Sequence, residues 1–348
     1  PIDKNNNVDI TPITTAATRI ASYLQPDTTV VITSQIPLGT SGEIELLIQK
    51  GNSKWRGGIV YVPENLQLGS ALARFLEPDM LVIGSNSKYA KRSAQALYRP
   101  FTAPKVTMDL KSAEMVKHAL NAFLATSIAF GNEIANLCDR LGADAVSVAS
   151  ALRYDKRLGR APIFPGLGFS GGTLARDVAV LRMFAEKKNY RAPLLESIVE
   201  INEDTFRQII LKLTKRLKTL KGKTIGLLGL TYKPNTSTLR QSPAIKLAHL
   251  LVKSKAYCIG YDPQASKEEF REYTQIITRV ASVEALAQAS DALVLVTEWP
   301  EFRTLNYQLM SRSMKQPIFI DTKNFLDTKK LQASGFIYEG YGRGVEPI

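Results

Sequence analysis

Short β-branched runs alternate with helical periodicity along the first third of the chain. Three runs predict buried strands: TVVIT at 29–33, GGIVYVPE at 57–64 and MLVIGS at 80–85. The stretch 11–24 spaces its apolar residues like an amphipathic helix. Such alternation is typical of a parallel sheet, which holds its ligand at the carboxyl ends of its strands. We therefore expect ligand contacts at Thr33, Ser34 and Gln35, at Pro63 and Glu64, and at Gly84 and Ser85.

The middle of the chain predicts one long helix. Residues 112–139 contain no proline and one glycine, and their apolar positions fit a helix. Lys117 and Asn121 lie four residues apart, so they share a face. Together they could hold a substrate oxygen or a catalytic water, although a solvated lysine beside an asparagine is the simpler interpretation. His118 points elsewhere, and we expect it on the helix surface.

A second strand-and-helix region follows a helical stretch at 192–220. Its predicted strands are TIGLLGL at 224–230, YCIGYD at 257–262, ALVLVTEW at 292–299 and IFIDTKN at 318–324. Ser242 and Pro243 are a strong helix start, and Lys233 and Arg240 flank it, which favours bound phosphate. The predicted fold is α/β, with two Rossmann-like parallel-sheet domains, the first incomplete, joined by a long central helix. The expected bounds are 1–105, 106–215 for the central helical and dimerisation domain, and 216–348.

Composition narrows the class of partner. The 348 residues carry a net charge of +13, which favours anionic partners. The basic residues are scattered apart from 212–223, which we interpret as one face of a helix, so we expect no nucleic acid. No apolar run is long enough to span a membrane. The two cysteines, Cys138 and Cys258, argue against a disulfide framework and fit a cytoplasmic protein.

A glycine-rich stretch, FPGLGFSGGTLARD at 164–177, precedes an apolar run with helical spacing. A tight loop that leads into a helix can hold an anion or a developing oxyanion on its backbone amides. A connector without chemistry would have the same glycine content.

This stretch resembles the active-site loop of the UDP-glucose/GDP-mannose dehydrogenase family, whose pattern is G-F-G-G-x-C-x-x-K-D. Gly168, Phe169, Gly171 and Asp177 match, and Arg176 replaces the lysine. The nucleophilic cysteine of the family falls on Thr173.

Other segments resemble the family in the same order along the chain. The resemblance implies catalytic roles for Lys117, Asn121, Thr173 and Asp177. It implies substrate binding by Arg157, Phe164, Gly168, Phe169, Gly171, Tyr232 and Lys233. It implies cofactor binding by Ser34, Gln35, Glu64, Arg176, Arg240 and Lys323, and it implies no metal. Lys323 stands where the family has an arginine, and Arg157 matches an arginine that reaches the substrate of a partner subunit.

The family oxidises a UDP- or GDP-sugar with NAD in two successive hydride transfers, for polysaccharide or cell-surface glycan precursors, and the resemblance implies a cytoplasmic homodimer. The cysteine traps the aldehyde between the two transfers. Thr173, which stands at this position here, has a hydroxyl that is a far weaker nucleophile than a cysteine thiolate. Leu68 replaces an acidic residue and Gln35 a threonine. These departures predict a single two-electron step on a CH–OH group.

Two further expectations and two alternatives remain at this point. The resemblance implies that the glycine turn for the pyrophosphate precedes the sequence in hand. Asp177 is expected to orient a water or Lys117.

A non-catalytic protein that binds nucleotide sugars would explain the lost side chains. A β-hydroxyacid dehydrogenase would share a Lys-x-x-x-Asn helix but would not explain the second α/β domain.

Overall fold

The computed structural model describes residues 8–64, 66, 71–170 and 172–344. The strands are β1 Val30–Ile32, β2 Ile59–Tyr61, β3 Leu81–Gly84, β4 Lys105–Met108, β5 Thr224–Leu228, β6 Tyr257–Tyr261, β7 Thr278–Arg279, β8 Ala292–Leu295, β9 Ile318–Asp321 and β10 Ile337–Gly340. The helices are α1 Thr11–Ala21, α2 Thr40–Gly51, α3 Ala71–Leu76, α4 Lys88–Leu97, α5 Leu110–Leu141, α6 Ala145–Leu152, α7 Leu174–Lys187, α8 Pro193–Leu217, α9 Pro243–Lys253, α10 Lys267–Phe270, α11 Val283–Ala289, α12 Tyr307–Ser313 and α13 Thr328–Ala333.

The chain forms two compact units. The first comprises the chain up to Ala122 together with Arg176–Arg191, and the second comprises Phe123–Ala175 and the chain from Ala192 onward. Each unit has its own sheet and its own apolar core.

The sheet of the first unit has the order β1-β2-β3-β4. β1 and β2 are parallel, as are β3 and β4, but β2 and β3 meet antiparallel, with Tyr61 opposite Gly84. The carboxyl end of β3 therefore lies at the opposite edge from those of β1 and β2. The Ser85 hydroxyl accordingly donates to the carbonyl of Ile59, at the start of β2. The expectation that Gly84 and Ser85 share an edge with Ser34 and Glu64 is wrong.

The sheet of the second unit has the order β10-β9-β8-β5-β6-β7, and each of these pairings is parallel. The direction of winding reverses between β5 and β8, and ligands of such sheets bind at the carboxyl ends beside that reversal. The α/β class with Rossmann-like sheets and a long central helix is confirmed. The sequence pattern did not predict β4, β7 or β10; β7 has two residues, too few for a periodicity to register.

The long central helix is also confirmed, because α5 runs for 32 residues and contains the whole predicted stretch. Helix α8 ends earlier than predicted, at Leu217. Lys218 adopts a positive φ of 67°, and Leu220 is buried beyond the helix end. The spacing of Leu213, Leu217 and Leu220 therefore reflects burial that continues after the helix has stopped.

Candidate active site

A buried cluster of polar side chains lies in the first unit, where α5 and α7 supply most of its members. Lys117, His118 and Asn121 lie on α5, and Asp177 lies in the first turn of α7. All four are buried, and Asp177 is 0 % exposed. Buried polar groups of this kind need hydrogen-bond partners, so their contacts define the site.

The Asp177 carboxylate is the centre of the cluster. The Gln35 amide nitrogen lies 2.6 Å from Oδ1 and 2.7 Å from Oδ2. The ring nitrogen Nδ1 of His118 lies 3.0 Å from Oδ1, and the Asn121 amide nitrogen donates to Oδ2. Burial by itself would raise the pKa of this carboxyl, but the bonds from His118, Asn121 and Gln35 outweigh burial and hold the pKa below its ordinary value. Asp177 is therefore an anchored anion.

Lys117 is held against the strand edge. Its ammonium donates to the backbone carbonyl of Glu64 at 2.8 Å, just beyond β2. Burial lowers the pKa of Lys117 from its ordinary value; the Asp177 charge opposes this effect, and the Arg176 charge reinforces it. A lysine with a lowered pKa is better suited to exchange a proton with a substrate hydroxyl.

Gln35 and Arg176, both expected to bind cofactor, form a pair beside Asp177. The Arg176 guanidinium donates to the Gln35 side-chain oxygen, and its Nε lies 3.6 Å from Asp177 Oδ1. Gln35 thus accepts from the cation and donates to the anion. The sequence predicts that Asp177 orients Lys117. A direct hydrogen bond between them is not among the described contacts of Asp177. Its described side-chain partners are Gln35, His118, Asn121 and Arg176.

His118 is the residue that sequence reasoning placed wrongly. It is 2 % exposed and does not lie on the helix surface. Its Nδ1 faces Asp177, and its Nε2 lies 3.1 Å from the carbonyl oxygen of Ile36. The helix buries both the Lys117–Asn121 face and the adjacent face, which no pattern of apolar residues indicated.

Glu114 is a second residue that the sequence did not single out. It is buried on α5 and accepts from the backbone amides of Gly39, at 2.5 Å, and Ser41, at 2.8 Å. A carboxylate at the start of a helix satisfies amides that have no partner within the helix. Glu114 therefore ties the loop after β1, which carries Gln35, to the helix that carries Lys117 and Asn121.

Ser34 and Glu64 are exposed at the carboxyl ends of the parallel strands β1 and β2. A hydroxyl and a carboxylate at that edge fit the hydroxyl and amide groups of a dinucleotide such as NAD. Leu68, a departure from the family pattern, lies outside the described residues.

The glycine loop belongs to the second unit, where two buried asparagines hold its backbone. Asn132 of α5 accepts from the amide of Gly166 at 3.0 Å. Asn202 of α8 accepts from the Phe169 amide at 2.8 Å and donates to the Phe169 carbonyl at 3.1 Å. Gly168 has φ +76°, and a Cβ there would lie 2.2 Å from the Asn202 side-chain oxygen. The glycine is therefore required by the packing of Asn202, which the sequence did not indicate.

The remaining loop residues are more accessible. Thr173 is exposed directly before α7, and Phe164 is 40 % exposed with the Arg153 guanidinium 5.4 Å from its ring centre. Phe169 is buried. Gly171 lies outside the described residues.

The carboxyl edge of the second sheet gathers several of the other predicted residues. Tyr232 and Lys233 follow β5, the half-buried Lys323 follows β9, and its ammonium lies 3.5 Å from the carboxylate of Glu298 beyond β8. Burial raises the pKa of Tyr232. Arg240 is exposed before α9, whose Ser242 cap accepts from Ala244 as predicted. A Cβ on Gly166 would lie 4.0 Å from Lys323, so the glycine loop meets this edge.

Arg157 is exposed in a short 3₁₀ helix, and its guanidinium pairs with Asp155. No helix in the described part of the chain is both long and apolar enough to cross a membrane. Within the same residues, no group of three or more His, Cys, Asp or Glu side chains is arranged to hold a metal ion.

Three family models cover most of the chain. The NAD-binding domain of the UDP-glucose/GDP-mannose dehydrogenase family matches residues 1–102, its central domain matches 111–204, and its UDP-binding domain matches 226–328. The chain is 35 % identical to the UDP-glucose 6-dehydrogenase TuaD of Bacillus subtilis, with 100 % of the chain and 76 % of that protein covered. It is 34 % identical to the UDP-glucose 6-dehydrogenase of Rhizobium meliloti, with 97 % and 79 % covered.

Solved structures agree with this assignment. A UDP-glucose dehydrogenase from Pyrobaculum islandicum superposes with a TM-score of 0.89 at 29 % identity, over 98 % of this chain and 78 % of that one. A UDP-D-ManNAc dehydrogenase from Pyrococcus horikoshii gives 0.83 at 26 % identity, over 99 % and 79 %. The chain belongs to the UDP-glucose/GDP-mannose dehydrogenase family of NAD-dependent oxidoreductases.

Proposed function

We propose that this protein oxidises a CH–OH group of a UDP- or GDP-sugar to a carbonyl in one two-electron step. The observation that carries the proposal is a buried lysine, asparagine and aspartate in one cluster, without a cysteine in the glycine loop. Lys117 and Asn121 contact Glu64 and Asp177 respectively, and Thr173 stands at the position of the family nucleophile. Glycan precursor synthesis is the corresponding physiological role.

The two cysteines of the chain are poor substitutes for the missing nucleophile. Cys138 lies within α5 and Cys258 within β6, and each is 5 % exposed. Burial raises the pKa of Cys258 to about 12 and also raises the pKa of Cys138. A thiol that stays protonated is a weak nucleophile, so a covalent aldehyde adduct has no candidate cysteine.

In this step the substrate carbon loses a hydride and the hydroxyl oxygen loses a proton. NAD, when bound, would supply the acceptor for the hydride. Lys117 in its neutral amine form, which its lowered pKa makes more accessible, would take the proton and then, as the ammonium, polarise the carbonyl oxygen that forms. Asn121 positions the substrate, and Asp177 fixes Asn121. Ser34 and Glu64, at the strand edge of the first unit, would hold the cofactor.

The nucleotide moiety is assigned to the second unit. Tyr232 and Lys233 lie at the carboxyl edge beside the reversal between β5 and β8. The glycine loop, with Phe164 and Phe169, supplies further substrate contacts. Three domains at 1–105, 106–215 and 216–348 are the corresponding organisation, and the three matched family regions fall within those bounds.

The functional form is proposed to be a homodimer. Phe123, Phe130 and Leu137 lie seven residues apart on α5 and are 60 %, 47 % and 47 % exposed. Seven residues are close to two helical turns, so these side chains form one apolar stripe. Arg157, exposed on the same unit, is the candidate to reach the partner's substrate.

Non-catalytic binding of nucleotide sugar is the alternative, and one observation favours it. The Asp177 carboxylate is occupied by donors from Gln35, His118 and Asn121, which leaves it poorly placed to activate water. The retained, buried Lys117 argues for catalysis.

The test is a count of NADH formed per sugar consumed, with the full-length gene product, NAD and a panel of UDP- and GDP-sugars. We expect a ratio near one; a ratio near two would mean that the acid forms and would overturn the single step. Lys117→Ala should lower turnover about 10²-fold or more, whereas Lys111→Ala, an exposed lysine on the same helix, should not. Sugar binding by calorimetry without any NADH would support the non-catalytic alternative.

A further inference from the structure

The buried ring of His118 lies between two hydrogen-bond acceptors. Its Nδ1 faces the Asp177 carboxylate at 3.0 Å, and its Nε2 faces the Ile36 carbonyl at 3.1 Å. A neutral imidazole carries one N–H, so it would turn a lone pair toward one of these acceptors. Only the imidazolium, with two N–H groups, donates to both.

The contacts of Asp177 fix the orientation of the Asn121 amide. A carboxylate is an acceptor only, so it must face the nitrogen of that amide and not its oxygen. Gln35 and His118 occupy the carboxylate from other directions and prevent it from turning. The Asn121 oxygen then points away from Asp177, and it presents an acceptor to whatever binds there.

We propose that His118 is a positioning residue of this site: together with Gln35 it locks Asp177, and through Asp177 it turns the Asn121 oxygen toward the ligand. An oxygen acceptor selects a group that can donate, such as a sugar hydroxyl or a water. It disfavours a carboxylate, the product of a second oxidation. This inference rests on the proposed function, and it names the chemical group that the site prefers.

Two conservative variants separate positioning from simple structural support. The side-chain amide of His118→Asn replaces Nδ1 and can still donate to Asp177, whereas that of His118→Gln replaces Nε2 and can donate to Ile36. We expect His118→Asn to keep kcat within about threefold of the wild type, and His118→Gln to lower kcat on the order of tenfold or more, at similar Tm. Equal kcat for the two variants, or losses that only follow Tm, would overturn the proposal. His249→Asn, on the exposed face of α9, is the control.

A second measurement does not depend on activity. The chain has two histidines, so protein labelled with ¹⁵N-histidine gives two ring spectra, and His249→Gln identifies the signals of His118. We expect Nδ1 of His118 to carry a proton, as a donor to Asp177 requires, and its signal to move in Asp177→Asn. An Nδ1 without a proton in the wild type would overturn the inference. If no sugar yields NADH, the proposed function fails, while the ring spectra still decide whether His118 locks Asp177.

Discussion

At the scale of single residues, the site is organised by hydrogen-bond capacity. Asp177 can only accept, Lys117 as an ammonium can only donate, and Gln35 does both, with Arg176 at its oxygen and Asp177 at its nitrogen. The sequence singled out Lys117, Asn121 and Asp177. It could not show that Asp177 accepts from Asn121, because that depends on how α5 and α7 pack.

The anchored carboxylate predicts a specific pH dependence of stability. The folded-state pKa of Asp177 is lowered from 3.8, so its contribution is present above that value and is lost as the pH falls through the folded-state pKa. The free energy of unfolding should therefore fall more steeply with acid in the wild type than in Asp177→Asn, whose amide does not titrate. Urea unfolding at pH 7, 5, 4 and 3 measures both slopes. Parallel curves would contradict an anchored anion.

At the scale of elements, the glycine loop is shaped by the helices that it packs against. Asn202 of α8 binds both backbone groups of Phe169, and Asn132 of α5 binds the amide of Gly166. The sequence indicated a tight loop from its glycines and assigned Gly168 to the substrate. The structure shows that packing also requires a glycine at position 168, since a Cβ there would clash with the Asn202 side chain.

Replacement of Gly168 by alanine measures this packing. Gly142 provides a matched control, because its φ of +74° is close to the +76° of Gly168 but a Cβ there would have no atom within 4 Å. Gly142→Ala should cost the strain of a positive φ, on the order of 1–3 kcal/mol. Gly168→Ala should cost about 1–3 kcal/mol more, since it adds a clash with Asn202. Equal free energies of unfolding would show that Asn202 moves aside without cost.

At the scale of the whole molecule, the apolar stripe on α5 is one apolar feature that the fold of one chain leaves exposed. Phe123, Phe130 and Leu137 would be costly to keep in water along a 32-residue helix. A second copy of the chain would cover them, in keeping with the proposed homodimer.

Charge in the stripe should therefore disrupt assembly. Phe130→Glu should convert a dimer to a monomer, because two carboxylates would be buried without partners. Leu309→Glu is the control, since Leu309 is 54 % exposed on α12. Light scattering after size-exclusion chromatography gives both masses. A monomeric wild type, or a dimer that Phe130→Glu leaves intact, would contradict the role of the stripe.

The sequence by itself determined most of the strands and the long central helix. β-branched runs predicted β2, β3, β5, β8 and β9, since a strand buried on both faces leaves a continuous apolar run. Helical spacing predicted residues 112–139 of α5, and residue types in the family order singled out Lys117, Asn121 and Asp177.

Only the tertiary structure decided the pairings. β2 and β3 pair antiparallel, so Ser85 lies at the opposite edge of the sheet from Ser34 and Glu64. The direction of a strand depends on the path of the connection before it, and a local sequence pattern does not encode that path. The burial of His118 depended on a second packed face of α5, and the clamp of Asn202 joined residues 33 positions apart. Local periodicity reports which side of a helix or strand is apolar. It does not report which polar group from a distant segment will contact that helix or strand. In this protein, contacts of that kind form the candidate site.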